Sequence, residues 1–453
     1  MNTASTTDPA LPTRGLPSRL HNAALERLVL PAGDAVLRTE FMRELRRWRR
    51  IQHLDADALA RLQRSGLVSL LEHATAEVPY YRGLNISRDG DPYEWLRRFP
   101  ILTKQHLRAD GDRILTPGAT NLVKISSSGS SGVQSTLWST PREISRSQAI
   151  QTLWWEWAGY RLGDRLLQTG MTPDRGITKR IKDRLLRTSY VVAFGLTQAE
   201  MQDIVRRGAN RPWRHIGGYA SSIDALARAA IDMPEVSLRP VSAISWGDKL
   251  YPAHRQHVAQ AFDAPVLDTY GTAEGFMIAS QRFNEPYYVM SPHVVVELLD
   301  GDDQPVPDGE IGHVVVTRLD APAMPMIRFR LGDLAIAPAK PVQVAGGPAF
   351  PQLERIVGRE TDIWISPGGR TLTVHTFTGV MEHFDQIEQF AVVPATGRLT
   401  MEYIAGEDFD PGVLEQAAQA LCAAVGEKLV LDWKRVTHIP DSPSGKPQII
   451  RSG

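Results

Sequence analysis

Between Leu122 and Tyr270, helical stretches such as "SSIDALARAAI" alternate with short apolar runs such as "VSAIS" and "APVLDTY". Parallel strands need a crossover element between them, so this alternation predicts an α/β layer built on a parallel sheet. The flanks differ. Residues 22–78 carry helical periodicity, as in "ALARLQRSGLVSLLEHATAEV", where leucines recur at three- and four-residue steps. Pro100 breaks one element in "FPILTKQHLRAD", and Thr103 can cap the next. From Val289 to Arg330 the segments "HVVVELLD", "GHVVVTRL" and "MIRFRLGDLAIA" are separated by Gly, Asp and Pro, and predict antiparallel hairpins. After "IVGRETDIW" the tail mixes strands ("QFAVVPA", "RLTMEYIAG") with one helix ("GVLEQAAQALCAAVGEKL"), enough for a small α+β domain.

A chain of 453 residues exceeds one average core. Lysine plus arginine equals aspartate plus glutamate at 51 each, so no net field draws the chain to nucleic acid or an acidic membrane. "RELRRWRR" (Arg43–Arg50) reads as the wet face of a helix. The single cysteine, Cys422, excludes an internal disulfide framework and any multi-cysteine zinc site. No run of eighteen apolar residues occurs, so no transmembrane helix is expected. The first twenty residues lack the apolar core of a secretory signal and are expected to be a disordered lead on a cytoplasmic protein. His254 and His257, three apart, have no acidic or cysteine neighbour in sequence and are expected at the surface.

"KISSSGSSGVQST" (Lys124–Thr136) follows the apolar pair Leu122-Val123. Such chain is either a flexible linker or a loop whose backbone N–H groups and hydroxyls surround a phosphate. It is not a P-loop, and no G-x-G-x-x-G follows a strand.

The spacing S-S-G-S-S-G resembles the phosphate loop of adenylate-forming enzymes, and four further segments follow in that family's order. "DTYGTAEG" (Asp268–Gly275) resembles Y-G-x-T-E, and "MPMIRFRLGDL" (Met324–Leu334) resembles P-x-x-R-[YF]-R-x-G-D-L. "IVGRETD" resembles the hinge motif G-R-x-D-D, and "PSGKPQIIR" (Pro443–Arg451) the C-terminal G-K-x-x-R. "LLEHATAEVPYYRGL", "FPILTKQHLR" and "PVPDGEIGHVVVTRLDAPAMPMIRFRLGDL" narrow the resemblance to the phenylacetate–coenzyme A ligase branch, over about Ser69 to Arg451.

After the lead (1–20), the resemblance implies a large N-terminal domain with parallel α/β layers and a β-rich subdomain (21–358), and a small mobile α+β lid (359–453). It implies ATP-dependent activation of a carboxylic acid to an acyl-adenylate, then transfer to a thiol, with ATP, Mg²⁺ and coenzyme A as cofactors. Ser127, Ser128, Gly129, Ser130, Ser131 and Gly132 would hold phosphates. Asp248, Tyr270, Gly271, Thr272, Asp333 and Arg359 would complete the nucleotide site, with Tyr270 against adenine and Asp333 on the ribose. Glu274 would hold Mg²⁺, Arg330 would organise the site, and Lys446 would bridge the carboxylate and the α-phosphate. Rotation about Gly358–Asp362, with Thr361 and Asp362 at the hinge, would remove Lys446 for the second half-reaction. Tyr219, Trp246 and Phe276 could line an aromatic acid pocket together with Trp154, Trp155 and Trp157, although tryptophans at helical spacing more often fill a core.

Three departures from the family pattern stand out. No basic residue follows Gly132, Ala273 replaces a threonine, and Thr361 replaces an aspartate. An amine or a carrier-protein thiol as acceptor, a homodimer, and a member that binds nucleotide without turnover are the alternatives.

Overall fold

The computed structural model describes residues 13–88, 90–126, 136–170, 176–192, 196, 198–272, 274–283, 285–359, 363–368, 371–373, 377, 380–381, 384, 386–395, 397–406, 408–425, 427–440 and 449–451. Its central feature is an eight-stranded mixed sheet. From one edge to the other its strands are Gln352–Leu353, Tyr287–Val289, Met277–Ser280, Val266–Gly271, Ser242–Trp246, His215–Tyr219, Leu166–Gly170 and Thr188–Val192. The last five are mutually parallel, and the first three extend the sheet antiparallel.

Both faces of the parallel part are covered, as the apolar character of its strands requires. Successive residues point to opposite faces. Leu167, Ile216, Ala243 and Val266 pack under the helices Gln198–Asn210, Ala220–Ile231 and Pro252–Phe262. On the other face Leu166 joins a cluster with Leu153 and Trp154, and Ile244 and Leu267 pack on Ala158. The helix Phe41–Ile51 buries Met42, Leu45, Trp48 and Ile51 there and leaves Arg43, Arg46, Arg47 and Arg50 exposed, as its pattern predicts.

A four-stranded antiparallel sheet, ordered Val294–Leu299, Ile311–Arg318, Phe329–Ile336 and Arg355–Arg359, forms the β-rich part. The helix Ala56–Glu77 packs on the same core as this sheet, and Asp55 caps it by accepting from Ala58 N at 2.7 Å. In the tail, Ile387–Ala395, Arg398–Ala405 and Leu431–Arg435 make a three-stranded sheet under the helix Gly412–Val425. These elements share one apolar cluster, on which Tyr251 from the large part also packs. Among the described residues no helix is long and apolar enough to cross a membrane.

A helix spans Leu16–Ala24 and so starts within the segment, 1–20, anticipated as a disordered lead. Pro17 lies in its first turn, where a missing N–H costs nothing. Just before it, Arg14 Nε donates to both oxygens of the buried Asp164, at 2.9 and 3.0 Å, and Asn22 Nδ2 donates to the same carboxylate at 2.8 Å. A buried carboxylate demands such partners, and that demand holds the segment down.

Candidate functional site

The parallel strands end along one edge of the sheet, at Gly170, Tyr219, Trp246 and Gly271. In open α/β sheets ligands bind outside these carboxyl ends. Two loops, 247–249 and 272–276, and one strand of the antiparallel sheet lie there.

Tyr270, next to the end of its strand and buried, donates its phenol O–H to Oδ2 of Asp333 at 2.8 Å. Asp333 lies on Phe329–Ile336, directly across from Arg359 in the ladder. Two sequence motifs far apart thus share one hydrogen bond.

The 272–276 turn closes with Thr272 N donating to Phe276 O at 2.9 Å and Gly275 N to Thr272 O at 3.1 Å. Gly275 has φ +88, and a Cβ there would stand 2.7 Å from the Arg318 guanidinium, so any side chain is doubly excluded. Glu274 is half-buried at the tip. Thr272 Oγ1 is buried and has no hydrogen-bond partner among the described residues. A hydroxyl held dry and unsatisfied is suited to a ligand oxygen.

The turn is anchored from below. Ser147 Oγ donates to Gly275 O at 3.0 Å. Arg318 donates from Nη2 to Glu143 O at 2.9 Å and from Nε to Asp320 at 3.1 Å. Glu143 closes a capping box with Thr140 at the start of Pro141–Trp157 and also accepts from Ala323 N at 3.0 Å. The helix after the serine-rich segment is therefore fastened to the Glu274 turn. "TPRE" is a legible capping box. Nothing in the local sequence marks Arg318.

Asp248 follows the strand Ser242–Trp246. Its carboxylate accepts from Ser221 N at 3.1 Å, from Ala220 N, and from the Ser221 hydroxyl. It thus caps the helix Ala220–Ile231, whose own N-cap residue, Tyr219, supplies no side-chain acceptor. Gly247, at φ +81, lets the Tyr219 ring lie over it, since a Cβ would meet Tyr219 Cε1 at 2.5 Å. Burial, with Asp248 and Tyr190 nearby, raises the Tyr219 phenol above its ordinary pKa. Trp246 stacks on Trp155 with centroids 5.5 Å apart and planes 16° apart. Lys249 donates to the carbonyl of Val357, which ties this loop to the strand leading toward the expected hinge.

Several expectations change. Phe276 is fully buried and stacked on Phe329 at 6.0 Å, so it is a core residue and lines no slot. Trp154 is core as well, and Trp157 packs edge-on to Tyr288. The Arg330 guanidinium pairs through Nη2 with Asp303 in the hairpin loop between Val294–Leu299 and Ile311–Arg318, while its Nε is buried with no hydrogen-bond partner among the described residues. His257 is not a bare surface residue. Its Nδ1 lies 2.6 Å from Asp224 Oδ1 on the neighbouring helix, and burial lowers the pKa of His254. The acidic partner was absent only along the sequence.

Ser127–Ser135, Ala273, Thr361, Asp362 and Lys446 lie outside the described residues, as does the Arg359 side chain. The strands flanking the serine-rich segment, Val123–Ser126 and Thr136–Ser139, pair antiparallel with Ser126 opposite Thr136.

No family model matches the chain. It is similar to Protein CapK of Staphylococcus aureus, 21% identical over 360 residues, which is 78% of this chain and 79% of that protein. It is also similar to phenylacetate-coenzyme A ligase of Pseudomonas putida, 26% identical over 337 residues, covering 69% and 73% of the two chains. Among solved structures it matches a 2-hydroxyisobutyryl-CoA ligase in the postadenylation state, with TM-score 0.69, 16% identity and 89% and 91% of the chains covered.

Proposed function

We infer that this chain, which belongs to the adenylate-forming superfamily and is similar to its phenylacetate–coenzyme A ligase branch, activates a carboxylic acid with ATP and passes the acyl group to coenzyme A. The Tyr270–Asp333 hydrogen bond carries this reading, because it sets a carboxylate acceptor beside an aromatic ring at the carboxyl edge of the parallel sheet.

A carboxylate is a poor electrophile. In the first step its oxygen attacks the α-phosphorus of ATP, the bond to the β-phosphate oxygen breaks, and pyrophosphate leaves. In the second, a thiolate sulfur attacks the acyl carbon, the acyl–oxygen bond breaks, and AMP leaves with that electron pair. Nucleotidyl transfer needs positioning and charge neutralisation more than covalent help. Asp333 accepts from the ribose hydroxyls, Tyr270 lies against adenine, and Thr272 Oγ1 meets a phosphate oxygen. Glu274 suits Mg²⁺, which takes one or two protein carboxylates with phosphate and water oxygens and would neutralise charge on the polyphosphate. Ser127–Gly132 would hold phosphates. Lys446, on a lid beginning at about residue 359, would approach the α-phosphate as a compact charge.

The acid is aromatic in this reading, supported by the Trp155–Trp246 stack and the Tyr219 ring at the same edge. Mass spectrometry of products from ATP, coenzyme A and a panel of acids tests it. Arylacetyl or aroyl thioesters are expected. Acetate or propionate as the best acid would remove the aromatic assignment, and an amide or no product would remove the thiol acceptor.

A further inference from the structure

The equal charge totals of the chain conceal a local imbalance. The helix Gly176–Leu185 stands on the edge strand of the large sheet. Ile177, Ile181 and Leu185 recur at four-residue steps along one stripe and are 78%, 57% and 44% exposed. Between Gly176 and Arg187 the basic residues Lys179, Arg180, Lys182, Arg184 and Arg187 face a single acid, Asp183. The helix Leu16–Ala24 adjoins it, with His21 Nε2 3.1 Å from Leu185 O, and adds Leu16 and Leu20 at 67% and 62% exposed. We propose that this face docks on an anionic lipid bilayer.

Three features favour that occupant. Aliphatic side chains flanked by lysine and arginine suit burial at the boundary of acyl chains and acidic headgroups. A second copy meeting the same patch would oppose like charges, because an isologous contact sets each surface against itself. The patch carries Lys179 and Lys182, and lysine is depleted at protein interfaces. The proposal is independent of the acid-activating reading, since none of these residues belongs to that site.

Flotation of the full chain with vesicles tests it, comparing phosphatidylcholine alone with phosphatidylcholine containing phosphatidylglycerol. Binding is expected on the anionic vesicles only, and should weaken as salt rises. Lys179→Gln and Arg184→Gln should each reduce it about fivefold, and Ile181→Glu by more than either, while circular dichroism and pyrophosphate release stay unchanged. Failure of the unmodified chain to float, or equal flotation of Ile181→Glu, would overturn the proposal. So would sedimentation showing a dimer that Ile181→Glu converts to monomer, which would assign the face to a second copy.

Discussion

The Tyr270 phenol and the Asp333 carboxylate meet at 2.8 Å, joining the last parallel strand of the large sheet to the third strand of the antiparallel one. A side-chain bond between two sheets fixes the carboxylate before any ligand arrives. Such preorganisation lowers the ordering cost of binding.

Replacing Asp333 with Ala should weaken ATP binding by about 1.5–3 kcal/mol, the usual worth of hydrogen bonds to a charged group. Tyr270→Phe should weaken ATP binding less, because Asp333 remains and loses only the bond that orients it. Calorimetric ATP titration checks both. Tyr270 belongs to the apolar cluster under the helix Ala56–Glu77, so Tyr270→Phe, which keeps the ring, should change thermal stability little, whereas Asp333→Ala removes a partner of the buried phenol and should lower it by about 1 kcal/mol. An Asp333→Ala protein with normal ATP affinity would remove the ribose assignment.

Asp248 was expected at the nucleotide, and the structure gives its carboxylate a helix to cap. Asp248→Ala should therefore destabilise the fold by about 0.5–2 kcal/mol in urea denaturation, the range for lost N-caps. Asp248→Asn should recover much of that. A variant that loses activity at unchanged stability would return Asp248 to ligand contact alone.

The architecture was readable because strand and helix periodicities differ and the chain alternates cleanly between them from Leu122 to Tyr270. The positions of Tyr270 and Asp333 were readable through motif resemblance. What escaped was contact between distant segments. Arg14 and Asp164 are 150 residues apart, and only folding shows that the lead segment neutralises a buried acid. Arg330 sits inside a family-like motif and Phe276 directly after one, yet a neighbouring acid holds one and an aromatic stack holds the other. His257 finds Asp224 across two helices for the same reason.

Burial acts to raise the Asp164 carboxyl, but His215 at 3.5 Å, Arg14 and Asn22 hold it below the usual carboxylate range. Because the folded value lies below the unfolded one, near 3.9, this group's stabilisation is complete above the unfolded value. It is lost as pH falls through that value toward the folded one. Denaturation midpoints should thus decline from about pH 5 downward. Asp164→Asn should be less stable at neutral pH and show a shallower acid decline. An unchanged acid slope would show that other carboxylates carry it.

Lys446 is assigned to the first half-reaction only. Removing one preorganised charge from a developing oxyanion typically costs about 10²–10³ in rate. Lys446→Ala should lower pyrophosphate release by that order while ATP affinity holds, since Tyr270 and Asp333 lie in the other part of the chain. Thioester formation from supplied acyl-adenylate should survive. Equal loss in both half-reactions would give the lysine a folding role.

Acyl-adenylate chemistry leaves a mark on the atoms, because the attacking carboxylate oxygen remains on phosphorus when AMP departs. Incubation of the enzyme with ATP, coenzyme A and an acid labelled with heavy oxygen in its carboxylate reads this directly by mass spectrometry of the nucleotide. One labelled oxygen in AMP is the expected result. Unlabelled AMP, or label in inorganic phosphate beside ADP, would contradict the activation mechanism.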